Sequence, residues 1–125
     1  MIKYTLEYPI HSSIKILYAR LSTLSGLSEW FADDVNVNRD GLYTFSWEGS
    51  QQHANLVSKK KDSHIRFRWE DSSDEEYFEF FIQIDELTKD VSLIVTDFAD
   101  DEMDKEDAIQ LWDVQIDKLK STIGS

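Results

Sequence analysis

The chain has no cysteine in its 125 residues, which excludes a disulfide framework, any thiolate metal site and a thiol-based redox role. Basic residues are scarce: 13 Lys and Arg stand against 25 Asp and Glu, for a net charge of -12. A field of that sign repels phosphate backbones and anionic headgroups, so neither nucleic acid nor an acidic membrane is an expected partner. The only basic run, Lys59-Lys60-Lys61, lies between two strand-like segments and reads as a solvated hairpin tip.

Long apolar runs are missing too. The opening MIKYTLEYPI alternates in polarity and carries Lys3 and Glu7, which is neither a signal peptide nor a membrane span. The expectation is a cytoplasmic protein without membrane insertion. There is no P-loop, dinucleotide fingerprint, HExxH or GxSxG motif. The three histidines, His11, His53 and His64, are the only side chains that titrate near neutrality without perturbation, and none stands in a motif with a nucleophile. No catalytic residue is assigned and no cofactor is expected. The carboxylates Asp100, Asp101, Glu102 and Asp104 lack the alternating ligands, loop glycine and terminal glutamate of an EF-hand, so they read as an acidic helix start and no metal site is assigned.

What is present is a packed globule in composition: 41% apolar residues, 13% aromatics and four tryptophans, in a chain of single-domain length. Lys3 to Tyr8 alternates as a half-buried strand, and the sole proline, Pro9, is expected to break it. Ser12 is placed to cap a short helix from about Ser13 to Leu21, with Ile14, Leu17, Tyr18 and Leu21 on one face. Ser25 is placed to cap a second helix with Leu27, Trp30 and Phe31 on its apolar side.

From Val35 the period changes to two, and six strands are expected: Val35 to Asn38, Leu42 to Glu48, Gln51 to Lys60, His64 to Glu70, Glu76 to Asp85, and Val91 to Phe98. The short turns between them, rich in Gly, Asp and Ser, imply antiparallel neighbours. Tyr43, Phe45 and Trp47 share one face, as do Ile65, Phe67 and Trp69, and then Phe78, Phe80, Ile82 and Ile84. The opposite phase of the strand from Glu76 to Asp85 leaves Tyr77 and Phe81 outside. The last strand is apolar in both phases, Leu93 and Val95 against Ile94 and Phe98, so its orientation stays open on pattern alone. A long helix follows, with Asp104 placed as its cap. Ile109, Trp112, Ile116, Leu119 and Ile123 lie on one stripe, and Gly124 stands at its end.

The element order, with Ser12-Ser13-x-x-x-Leu17, Gly26-Leu27-x-x-Trp30-Phe31 and Gly41-x-x-x-Phe45-x-Trp47, resembles the START-like (SRPBCC, Bet v 1-like) superfamily. Within it the chain is most similar to AHSA1-type domains, such as the C-terminal part of the Hsp90 ATPase activator. The resemblance implies an α+β helix-grip fold, with a seven-stranded antiparallel curved sheet around the C-terminal helix and two short helices after the first strand. It also implies that Leu93 and Val95 face inward, with Asp97 in phase with them at the mouth of the grip. Members commonly hold a hydrophobic ligand between sheet and helix, while some are polyketide cyclases or co-chaperones.

The leading expectation is therefore non-catalytic binding of a small hydrophobic molecule or lipid, with Trp30, Trp47, Phe67, Trp69, Phe80 and Trp112 as ligand-binding residues. These rings either line a cavity or fill the grip as plain core. The second expectation is a protein-interaction or co-chaperone-like module, a homodimer included, using Tyr77, Phe81 and Ile94 on the outer sheet face.

Overall fold

The computed structural model describes residues 1–125. Its elements run β1 (Ile2–Ile10), α1 (Ile14–Ser22), α2 (Leu24–Trp30), β2 (Asp34–Val37), β3 (Leu42–Trp47), β4 (Ser50–Lys60), β5 (His64–Trp69), β6 (Phe78–Ile84), β7 (Val91–Ala99) and α3 (Glu102–Thr122). The strands form one seven-stranded antiparallel sheet in the order β1-β7-β6-β5-β4-β3-β2. Hairpins carry the chain from β2 to β7, and β7 then returns to pair with β1. This is the helix-grip arrangement.

Alternation decides which face of the sheet is dry. Phe45, Ile65, Phe67, Phe78, Phe80, Leu93 and Val95 are all buried on the concave face, so the inner phase of β7 is the one that carries Leu93 and Val95. Ile116 and Leu119 of α3 and Leu17, Leu21 and Leu27 of the short helices close this core from above. The hairpin between β3 and β4 turns through Gly49 at a φ of +78°, a conformation that costs a residue with a side chain about 1 kcal/mol or more. A bulge between Leu56 and Ser58 breaks the β4–β5 register, and leaves both Leu56 and Val57 exposed.

Four local expectations are corrected. Ser13, not Ser12, caps α1, its Oγ accepting from Ile16 N at 3.1 Å. Thr23, not Ser25, caps α2, accepting from Gly26 N at 2.9 Å. Asp101, not Asp104, caps α3, and Asp104 supplies the N–H it accepts, at 2.9 Å. In each case the cap is the residue that remains extended just before the helical turn, where its oxygen can reach back to the free N–H groups. Pro9 does not break β1 but lies within it, opposite Ser92. An edge strand accepts proline where the missing N–H would have faced away from the sheet.

Gly26 sets the spacing of the two short helices. A Cβ at that position would come within 2.4 Å of the Ala19 carbonyl oxygen and 2.7 Å of the Arg20 Cα. Glycine is what lets α2 fold back so closely on α1, which brings Trp30 and Phe31 over the end of the sheet.

Candidate functional site at the mouth of the grip

The long helix packs against β1, β7 and α2, towards one side of the sheet. Between its flank and the inner faces of β3, β5, β6 and β7 a cleft of about 520 Å³ remains. Its helix wall is Ala108, Leu111, Trp112 and Gln115, its back is Trp30 and Phe31, and its sheet wall is Trp47, Trp69, Phe78 and Asp97. Asp33, Ser50, Gln52 and Lys118 add polarity to the lining.

Phe31 organises the back of the cleft. Its ring centroid lies 5.5 Å from Trp30, 5.2 Å from Phe45, 5.7 Å from Trp47, 5.6 Å from Phe78, 5.8 Å from Phe80 and 5.9 Å from Trp112. Its carbonyl oxygen accepts from both Trp47 Nε1 and Gln115 Nε2, each at 2.9 Å. The end of α2 is thus tied to β3 on one side and to α3 on the other.

Three of the four indole N–H groups are committed inside the protein: Trp30 donates to the Arg20 carbonyl at 2.9 Å, Trp47 to Phe31, and Trp112 to Asp97 Oδ2 at 3.0 Å. The Trp69 N–H makes no hydrogen bond to the protein and reaches solvent. Asp97 also accepts from Tyr4 Oη at 3.3 Å and from Phe98 N at 2.8 Å. Burial pushes its carboxyl above the usual value, the three donors pull it partly back, and the charge of Glu76 adds to the upward shift. Burial and the Asp97 charge in turn hold the Tyr4 phenol protonated well beyond its ordinary range.

Trp30, Trp47, Trp69 and Trp112 all border the cleft. Phe67 and Phe80 do not: both have no exposed surface and belong to the packed interior behind it. The deep part of the grip is filled by phenyl rings while its mouth stays open. Phe31, Phe78, Ala108, Leu111 and Gln115 border the cleft without having been singled out as site residues. Phe31 and Phe78 carried an apolar-face signal, whereas the polar Gln115 carried none.

The outer-face residues are placed differently from one another. Tyr77 is half-buried just before β6, with the Arg66 guanidinium 3.9 Å above its ring and Phe98 edge-on at 5.1 Å. Phe81 is 38% exposed and stacks near His64 at 6.5 Å. Ile94 is half-buried beside it. None of the three histidines lines the cleft. No helix is long and apolar enough to cross a membrane.

Comparison with known proteins decides the family, since the START-like superfamily domain matches residues 1–125. The chain belongs to the START-like superfamily. A protein from Bacteroides fragilis, solved in solution by NMR, is 40% identical over 97% of this chain and 90% of its own, with a TM-score of 0.65. The Aha1 dimer from Colwellia psychrerythraea aligns at 16% identity over 98% of this chain and 96% of that one, with a TM-score of 0.78. A crystal structure from Bacillus thuringiensis aligns at 8% identity over 99% and 100%, with a TM-score of 0.82. The last two speak to the fold alone. No curated protein matches the chain.

Proposed function

We infer that this START-like domain binds a small, flat, apolar molecule in the cleft between α3 and the sheet, without catalysing its conversion. The observation that carries the reading is the open volume of about 520 Å³ walled by Trp47, Trp69 and Trp112, a size and lining typical of small-molecule sites. Each 100 Å² of ligand surface removed from water contributes about 2.5 kcal/mol before ordering costs are subtracted. The Trp69 N–H offers one directional contact, so a hydrogen-bond acceptor on the ligand is favoured, while Lys118 stands against the carboxylates Asp33 and Asp97 in the lining. The absence of histidine from the lining, and the commitment of Asp97 to three donors, support binding over acid–base chemistry.

Native mass spectrometry of protein purified without denaturant, followed by titration calorimetry with 8-anilinonaphthalene-1-sulfonate, tests this reading. The expected result is one probe bound per chain, with affinity weakened about tenfold or more by Ala108→Phe, which occupies the helix wall, while the unfolding temperature stays close to that of the unsubstituted protein. Probe binding that is absent, or indifferent to Ala108→Phe and Trp69→Ala alike, overturns it.

A further inference from the structure

We propose that the free edge of β1 is a self-association surface, where a second copy of this chain adds its own β1 antiparallel about a two-fold axis through Thr5. The sheet has two edges, β1 and β2. β2 is only four residues long, so two copies joined there would share few bonds. β1 is nine residues long, and its outer edge accepts no hydrogen bond from, and gives none to, any other part of the chain along Lys3 to Glu7.

Pro9 and His11 fix which backbone groups face that edge. Pro9 lies opposite Ser92 within an unbroken β1–β7 register, which requires its nitrogen to point away from β7. Two residues on, the N–H of His11 also turns away from β7, donating to Ser125 Oγ at 2.8 Å. Lys3, Thr5 and Glu7 share this parity, so their N–H and C=O groups point outward and unpaired.

The order of side chains along the edge is self-complementary. With Thr5 opposite Thr5 of the second copy, Lys3 falls opposite Glu7 and Glu7 opposite Lys3, and each such pair exchanges two N–H···O bonds. The three side chains are exposed on the outer face. Lys3 makes only a distant contact, 5.7 Å from the Tyr77 ring centroid, and Glu7 has no ion-pair partner. On the inner face, half-buried Leu6 meets Tyr4, and half-buried Ile2 meets Tyr8. Lysine and proline on an edge commonly oppose strand addition; here the lysine is matched by a glutamate, and Pro9 lies beyond the last mutually bonded pair. A two-fold closure also leaves no further β1 edge free, so the assembly stops at two.

Sedimentation velocity over a concentration series, in low and moderate salt, tests the proposal. The expected result is a reversible dimer whose dissociation constant rises about tenfold or more in Glu7→Lys, which sets Lys3 against a lysine twice. The double variant Lys3→Glu with Glu7→Lys should restore the dimer, since the complementary order is only reversed. Thr5→Pro, whose lost N–H belongs to the outer edge and not to the β1–β7 ladder, should give a monomer with an unchanged near-ultraviolet spectrum. A protein that stays monomeric at millimolar concentration overturns the proposal. So does a dimer indifferent to Glu7→Lys and to Thr5→Pro, which would assign association to another face, such as the one carrying Phe81.

Discussion

Trp112 and Asp97 join the long helix to the last strand: the indole Nε1 donates to Oδ2 at 3.0 Å, from the helix wall of the cleft to its sheet wall. The same oxygen accepts from Tyr4 on the neighbouring strand. One carboxylate therefore holds α3, β7 and β1 together at the point where the grip opens.

That arrangement predicts an inverse dependence on pH. Burial raises the Asp97 pKa above its ordinary 3.8, so the folded state keeps its proton to a higher pH than the unfolded chain does. The contribution to stability is then most favourable in acid and is lost as pH rises from about 3.8 through the elevated folded value. Asp97→Asn removes this dependence and retains an acceptor for Trp112. Urea unfolding of the two proteins across that range should show the variant gaining on the unsubstituted protein as pH rises. A wild-type advantage that grows with pH would refute the assignment. Asp97→Ala, which strands the Trp112 and Tyr4 donors, should cost about 1–3 kcal/mol.

Gly26→Ala is expected to destabilise, although alanine in a helix interior ordinarily gains about 1 kcal/mol over glycine. The added methyl would press on the Ala19 carbonyl oxygen and the Arg20 Cα, both backbone atoms. Forcing α1 and α2 apart should cost about 1–3 kcal/mol and shift Trp30 from its bond to the Arg20 carbonyl. Thermal unfolding measures the first effect, and indole N–H chemical shifts measure the second.

Asp101→Ala and Asp104→Ala separate two carboxylates that look interchangeable in sequence. Asp101 makes the capping bond, so its loss should cost about 1 kcal/mol. Asp104 is raised in pKa chiefly by the charge of Asp101, with Asp100 and Asp107 adding to it, so its removal relieves repulsion. Denaturation midpoints should fall for the first variant and fall less, or rise, for the second, and the contrast should shrink in high salt.

These caps show where reading from sequence ran short. The sheet and α3 were legible because polarity repeats every two residues in one and every three or four in the other, and Leu93 and Val95 were oriented only through the family resemblance. Ser12 and Ser13, Thr23 and Ser25, or Asp101 and Asp104 offer the same oxygens within a few positions. Which one caps depends on where the backbone turns helical, and packing sets that. Pro9 misled because its meaning depends on whether β1 is an edge. The cleft was half legible: tryptophans on apolar faces pointed towards it, but Gln115 is an ordinary polar helix residue until the Phe31 carbonyl is placed beside it.

Phe31 supplies the last prediction. It touches six aromatic rings and is 4% exposed, so Phe31→Ala should cost about 3–5 kcal/mol in calorimetric stability. Its carbonyl contacts to Trp47 and Gln115 come from the backbone and survive the change, which should keep α2 in place and leave the vacated volume continuous with the cleft. The variant should therefore unfold at a lower temperature yet accept a bulkier apolar probe than the unsubstituted protein. A loss of stability without that gain in size tolerance would mean that Trp47 and Trp112 collapse into the gap, making the ring itself, and not the backbone clasp, what holds the cleft open.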